Sequence, residues 1–281
     1  MGTRYLNHDS VLQILPDRKP ESHKGDYGRI LMLCGSLGYT GAAALAAMGA
    51  LRCGAGLVYV GVPKCIYTIE AIKLTEAIVY PLPDNDGRIC VNAMDEISDL
   101  IQKMDAVLIG PGLGCSYDTF EVTRFVLENF NGPVILDADG INVIAQHKDI
   151  VRSRTGQTVL TPHPGEFARL CSDYACNAES ARRLAQELDA IIVLKGHRTV
   201  VTDGATTYVN TTGNPGMAVG GSGDVLAGMI TALIGQRIAP LEASACGVWL
   251  HGAAGDRCAE ELGQYAMLPS DMLNVLPRLM K

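Results

Sequence analysis

Residues 29–43 read RILMLCGSLGYTGAA. A continuous apolar run leads into a glycine-rich loop and then into small residues that open a helix. The run does not alternate, so it predicts a strand covered on both faces, as in a mostly parallel sheet between helical layers. Similar runs recur along the chain: GLVYVGV (56–62), AVLIG (106–110), PVILDAD (133–139), TVLTPH (158–163) and AIIVLKG (190–196). TVVTDG (199–204) and TTYVN (206–210) flank a glycine-containing turn and read as an antiparallel hairpin at one edge. Helices are expected between the runs, near 41–53, 117–130, 140–147, 164–172, 178–189, 222–234 and 241–261. The pattern is that of one doubly wound α/β domain over residues 1–281. In such sheets ligands collect at the carboxyl ends of the strands.

The length of 281 residues by itself allows one large α/β domain or two small ones. Of 281 residues, 48% are hydrophobic and 19% charged, enough apolar surface for a sizeable core. The net charge is −7 and no dense basic run occurs, which argues against a nucleic-acid surface. Nine cysteines lie scattered without a CxxC pair, so reduced thiols in the cytoplasm are expected rather than disulfides or zinc. The first residues lack a long apolar segment, so neither a signal peptide nor a membrane span is expected.

The loops after the strands carry the candidate chemistry. GSLGYTG (35–41) follows the first run, GPGLG (110–114) the third, TPHPGE (161–166) the fifth and KGHRT (195–199) the sixth. The first is neither a Walker A loop, lacking its Lys, nor GxGxxG. Each loop alone is also compatible with an ordinary turn, and His163 or Lys195 alone with a structural hydrogen bond or a solvated charge.

Residues 213–228, GNPGMAVGGSGDVLAG, are more pointed. With Ser222 as N-cap, Asp224 falls in the first turn of a helix, where the dipole stabilises an acid by roughly 0.3–1 kcal/mol. Gly235 is the expected residue just past the helix end. The cap role does not account for Gly220, Gly221 and Gly223, which leave backbone N–H groups open to an anion. Amides that hold a phosphoryl group beside a carboxylate that takes a hydroxyl proton are what phosphoryl transfer requires.

NPGMAVGGSGDVLAG resembles the anion-hole segment of ribokinase-like enzymes. KGDYGRILMLCGSLGYTGAA (24–43), GPGLG, LDADGIN (136–142), LTPHPGEFARL (160–170) and VLKGHRTVV (193–201) occur with it in order. Together, over about residues 10–279, they resemble the ADP/ATP-dependent NAD(P)H-hydrate dehydratases.

The resemblance implies a ribokinase-like three-layer α/β/α fold and repair of hydrated NADH and NADPH. The 6-hydroxyl of the S epimer would be phosphorylated, with ADP as donor and ATP as alternative, and phosphate would then be eliminated. It also implies Mg2+ with the nucleotide, a homo-oligomer (a tetramer) and a cytoplasmic location. An epimerase on another chain would serve the R epimer, since no further domain fits in this length. Residue by residue, Asp224 matches the base, and Gly221, Ser222 and Gly223 the anion hole. Lys195, Gly196, His197, Arg198 and Thr199, with Gly223, match the nucleotide segment. Ala42 and its neighbour Ala43, Gly112, Gly114 and His163 match positions facing the hydrated dinucleotide. Lys24, Asp26 and Tyr27 would border that site, and Asn142 and Glu166 would arrange magnesium, water or substrate. No metal ligand is assigned.

Two rivals stay in view. A ribokinase-like small-molecule kinase of the thiazole or pyrimidine type would share the GSGD segment but release a stable phosphorylated alcohol. A non-catalytic nucleotide sensor would need no base at Asp224.

Overall fold

The computed structural model describes residues 2–172 and 175–281. The chain opens with β1 (Thr3–Arg4), α1 (His8–Ile14), β2 (Arg29–Leu33), α2 (Thr40–Arg52), β3 (Leu57–Pro63), α3 (Tyr67–Lys73) and β4 (Ile78–Leu82). A small ribbon, β5 (Asp84–Asn85) and β6 (Arg88–Ile89), precedes α4 (Met94–Ile101). Next come β7 (Ala106–Ile109), α5 (Tyr117–Asn129), β8 (Val134–Leu136), α6 (Asp139–Ile144), α7 (Asp149–Arg152) and β9 (Thr158–Leu160). Then follow α8 (Pro164–Leu170), α9 (Ala178–Leu188), β10 (Ile191–Leu194), β11 (Val200–Thr202) and β12 (Thr207–Val209). Three helices close the chain: α10 (Ser222–Gly235), α11 (Pro240–Leu262) and α12 (Pro269–Leu279).

The main sheet has the order β1-β12-β11-β10-β9-β8-β7-β2-β3-β4. From β10 to β4 each neighbouring pair is parallel, and β11 runs antiparallel to both β10 and β12. The expected hairpin is therefore present toward one edge, with only the two-residue β1 beyond it, parallel to β12. The chain leaves β2 toward β3 and β4, then returns to lay β7 on the other side of β2. That reversal opens a crevice between the carboxyl ends of β2 and β7, where such sheets bind ligands.

Two apolar layers sandwich the sheet, as the unbroken strand runs require. Ile30 and Met32 face a cluster with Ala46, Ala50, Ile230 and Leu273, whereas Leu31 and Leu33 face one with Ile97, Val126 and Leu184. The first layer holds α2, α10 and α12; the second holds α4, α5 and α9. This is the three-layer α/β/α arrangement. Among the described residues no helix is long and apolar enough to cross a membrane.

Several elements differ from expectation. α1, α3, α4, α7, α12 and β4 carry no strong signal, being short or interrupted by proline. Pro277 lies inside α12 and Pro81 inside β4, and β4 tolerates it as an edge strand. Most strands, though not β3, are shorter than their apolar runs: PVILDAD contributes only Val134–Leu136, because the chain turns sharply at Ala138, with φ +46°. α10 begins one residue earlier than Ser222 as N-cap would have it. Gly221, at φ +96°, is the N-cap, and Ser222 is already helical. At the other end Gly235 is helical and Arg237 takes the left-handed position, with φ +68°. Arg237 N–H donates to Ile234 O at 2.8 Å and Ile238 N–H to Leu233 O at 3.3 Å, closing a Schellman motif. Gly235 serves packing instead: a Cβ there would stand 2.5 Å from Ile30 Cγ2.

α10 is held backbone to backbone against α2. A Cβ at Gly49 would stand 2.5 Å from Val225 O, and one at Gly228 would collide with Ala46 O. Overpacking of such a contact costs about 1–3 kcal/mol. Gly228→Ala is expected to lower stability by at least that much in urea titration. Gly41→Ala, where the added carbon meets nothing within 4 Å, should leave it unchanged or raise it by about 0.4–1 kcal/mol. Equal stability of the two variants would refute the close-contact reading.

Candidate active site

The crevice between β2 and β7 is built from tight turns. Gly35 N–H donates to Pro111 O at 2.8 Å, and Ser36 Oγ donates to Gly112 O at 2.7 Å. Gly112, at φ +65°, lies so close to α2 that a Cβ would stand 2.8 Å from Ala42 Cβ. Ala42 and Gly112 therefore share one wall. Gly114 N–H donates to Asp139 Oδ2 at 2.8 Å, which ties the wall to the loop after β8. Ala43, expected beside Ala42, is instead fully buried, its methyl 3.1 Å from where a Gly35 Cβ would stand. On a helix, adjacent residues point about 100° apart, so only one of the two can face the crevice.

His163 caps α8. Its Nδ1 accepts from Gly165 N–H at 2.9 Å, which leaves the ring proton on Nε2, 3.2 Å from Glu166 Oε1. Glu166 Oε2 in turn accepts from His163 N–H at 2.8 Å, completing a reciprocal cap. The His163 side chain remains 51% exposed, so the cap and a place in the site wall are compatible. Asn142 accepts from Arg169 Nη1 at 2.9 Å and its Nδ2 donates to Asp139 Oδ1 at 3.4 Å, which places it beside the loop after β8.

Lys24, Asp26 and Tyr27 are not in the site of this chain. They precede β2, at the amino ends of the strands, and Lys24 O sits where a Gly56 Cβ would be. Asp26 accepts from His23 N–H at 2.8 Å, and Tyr27 is buried under the Arg18 guanidinium. The order of motifs along the chain conceals this, because entering a strand and leaving it place residues at opposite ends of the sheet.

On the other side of the α10 N-terminus lies a cavity of about 590 Å3. Lys195, Gly196, His197, Arg198 and Thr199 form one wall. Thr199 Oγ1 donates to Gly196 O at 3.0 Å, and Arg198 takes φ +59°, so this segment is a closed turn. Gly213 and Asn214 form the facing wall, held by Asp256, whose carboxylate accepts from Gly213 N–H at 2.8 Å and Asn214 Nδ2 at 3.0 Å. Leu226, Val248 and Met217 make it apolar below. A wedge of that size with an apolar floor and a polar end suits a nucleotide.

Gly223 and Ser222 line the same cavity. Of the three amides expected to form an anion hole, that of Ser222 is drawn to Val219 O at 3.3 Å; those of Gly221, the N-cap, and Gly223, with Asp224 beyond them, are the donors that helix geometry leaves over. His251, buried on α11, has Nε2 3.3 Å from Ser222 Oγ. Burial pulls its pKa down to about 4, with Lys195 adding to the fall and a Ser222 backbone bond opposing it. The imidazole is neutral at ordinary pH.

Charge concentrates between cavity and crevice. Lys195 Nζ lies 2.6 Å from Asp137 Oδ1 and 4.0 Å from Glu166 Oε2, and would stand 3.3 Å from a Gly223 Cβ. Burial alone would lower the Lys195 pKa; Asp137, then Glu166 and Asp224, outweigh it and the net shift is upward. Asp224 is pushed up to about 6 by burial, with Asp137 adding to the rise, Lys195 opposing it and Asp139 adding further. Asp224 is thus ionised at neutral pH yet more basic than an ordinary carboxylate. Among the described residues no group of three or more His, Cys, Asp or Glu is arranged to hold a metal ion.

Asp137, Asp139, His251 and Asp256 are site residues to which the sequence reading assigns no role. LDADGIN marks the loop of the first two, but two acids after a strand read equally well as a solvated turn. His251 and Asp256 lie mid-helix and carry no local signal.

A family model for NAD(P)H-hydrate dehydratase matches residues 30–278. The chain is 43% identical over 275 residues to the bifunctional NAD(P)H-hydrate repair enzyme Nnr of Moorella thermoacetica, covering 95% of this chain and 52% of that protein. It thus spans about half the length of such bifunctional relatives. It is 35% identical over 269 residues to the ADP-dependent (S)-NAD(P)H-hydrate dehydratase of Listeria monocytogenes, covering 95% of this chain and 92% of that one. The ADP/ATP-dependent NAD(P)H-hydrate dehydratase of Bacillus subtilis, crystallised with ATP and Mg2+, superposes with a TM-score of 0.85 at 32% identity, over 99% of this chain and 98% of that chain. A ribokinase-like sheet, an acid at the mouth of α10 and a match over nearly the whole length therefore converge, and the chain belongs to the NAD(P)H-hydrate dehydratase family.

Proposed function

We propose that this chain dehydrates the S epimer of hydrated NADH and NADPH, using ADP as phosphoryl donor. The observation that carries the reading is Asp224: one carboxylate beside free helix amides and the Lys195 ammonium, between a nucleotide-sized cavity and the Ala42–Gly112 crevice. The ADP β-phosphoryl group would rest on the amides of Gly223 and Asp224. Asp224 takes the proton from the 6-hydroxyl as that oxygen attacks phosphorus, and the bond to the AMP oxygen breaks. The phosphorylated intermediate then loses phosphate from C6. The ring-nitrogen lone pair assists, and a proton leaves the neighbouring ring carbon. The sum is hydrate plus ADP to dihydronicotinamide, AMP and phosphate. Phosphate leaves where hydroxide would not, which is why a nucleotide is needed.

Magnesium fits this site as a companion of the nucleotide rather than as an ion in a protein cage. Asp137 is taken by Lys195 and Asp139 by the Gly114 amide, and Mg2+ is commonly held largely by phosphates and water. The S-epimer preference and the ADP preference follow the similarity to the Listeria protein. An epimerase would supply that epimer from the R form.

The direct test mixes the protein with S-NADHX, magnesium and either ADP or ATP and follows absorbance at about 340 nm, where the dihydronicotinamide chromophore absorbs. A rise with release of AMP and phosphate is expected; no rise with either nucleotide sinks the proposal, and a stable phosphorylated alcohol would make the protein a kinase. Asp224→Asn should retain nucleotide affinity and lose turnover by about 10²–10⁴-fold, the worth of general-base catalysis. Near-normal turnover would leave Asp224 a helix-terminus residue only.

The raised Asp224 pKa also sets a stability signature. The folded chain holds this proton more tightly than the unfolded chain, so stability falls as pH rises from the ordinary carboxylate range through about 6. Asp224→Asn should therefore be more stable than wild type at about pH 8 in urea titration, by up to roughly 3 kcal/mol, with the gap closing by about pH 4. An Asn variant less stable than wild type at both pH values would contradict the burial argument. Lys195→Ala should weaken ADP binding more than hydrate binding in calorimetry; unchanged ADP affinity would remove Lys195 from the nucleotide site.

A further inference from the structure

Asp137 is 1% exposed at the end of β8 and is held through one carboxylate oxygen and through its backbone. Thr161 Oγ1 donates at 2.6 Å to the same oxygen that Lys195 reaches. The Asp137 N–H donates to Ile109 O at 3.1 Å, and its carbonyl accepts from Gly140 N–H at 2.9 Å. A Cβ at Gly110 would collide with that carbonyl, so the loops after β7 and β8 are in backbone contact. The carboxylate cannot follow a moving partner. Lys195 can: its side chain is long and 18% exposed, and it ends over Gly223, at the edge of the cavity. Glu166 cannot replace Asp137, because it stands at 4.0 Å and is fixed by its cap on His163.

We propose that Asp137 is a positioning residue for the Lys195 ammonium, holding it over the α10 N-terminus beside Asp224 and competing for it with the phosphates of the nucleotide. The inference rests on the nucleotide-dependent reading above. Its consequence is a trade. An incoming phosphate must share a cation that a buried carboxylate already neutralises, so Asp137 weakens nucleotide binding. The same tether keeps the ammonium between cavity and crevice, where negative charge moves during transfer, so Asp137 favours turnover. Removing one partner of a buried pair leaves the other charge uncompensated, and an anionic ligand is then what restores the balance.

Asp137→Asn in the full chain tests this by calorimetry with ADP, and with ATP in parallel, alongside steady-state turnover. ADP should bind about 3–10-fold more tightly, and the ADP-induced rise in melting temperature should grow accordingly. The kcat should fall by about 10-fold or more, the loss expected when a transition-state charge contact is misplaced. A purely structural role would weaken binding and turnover together. Unchanged or weaker nucleotide affinity, or an unchanged kcat, overturns the proposal. Thr161→Val, which removes one of the bonds that fix Asp137, should move both quantities in the same directions by less, and decides the matter if the Asn variant folds poorly. The wild type in the same assays separates the two readings: nucleotide binding without turnover of the hydrate would sink the proposed function, while the affinity arm would still decide Asp137.

Discussion

The site hangs on the backbone contact between α2 and α10. Gly49 against Val225 O and Gly228 against Ala46 O leave no room for a side chain between the two helices. α2 starts from the loop after β2, and α10 carries Asp224 in its first turn. Locking one to the other fixes the distance from the Ala42–Gly112 wall to the α10 amides. Gly235, pressed on Ile30, seats the far end of α10 on the sheet. A helix so anchored can present its terminal N–H groups without a side-chain cap, and none is present at Gly221.

The electrostatics follow from that placement. Asp137, Glu166 and Asp224 surround a single ammonium, Lys195, in a poorly solvated region. Lys195 therefore stays charged despite burial, whereas Asp224 is raised to about 6 chiefly by its own burial, with Asp137 adding to the rise and Lys195 opposing it. Burial beside other carboxylates leaves Asp224 more basic than an ordinary carboxylate. The bland role of Asp224 at a helix terminus and its proposed catalytic role are not rivals, because the helix dipole that favours an acid there also keeps it ionised.

Much of the architecture is legible in the amino-acid sequence. Unbroken runs such as RILML and AVLI mark a doubly covered parallel sheet, and GGSGD marks a glycine-framed helix start beside an acid. These are local properties: periodicity, missing Cβ atoms and first-turn charge are set by neighbours in sequence. Other features are not legible there. Lys24, Asp26 and Tyr27 read as part of a motif continuous with GSLGYTG, yet the strand between them carries the two groups to opposite ends of the sheet. Ala43 is adjacent to Ala42 but turns into the core. Asp137 reads as a turn residue, yet β8 and β10 bring it against Lys195, 58 residues along the chain.

The layer architecture, the family and the identity of the acid at the mouth of α10 are all written in short-range pattern, so the residues alone sufficed for them. Folding in three dimensions settled the rest: which strand ends meet, that Lys195 is tied to Asp137, that His251 stands behind Ser222 and that Asp256 holds the cavity wall. Those pairings join residues tens of positions apart, through sheet order and helix contact. Spacing along a chain carries no record of which distant side chains the folded backbone will set within hydrogen-bonding reach.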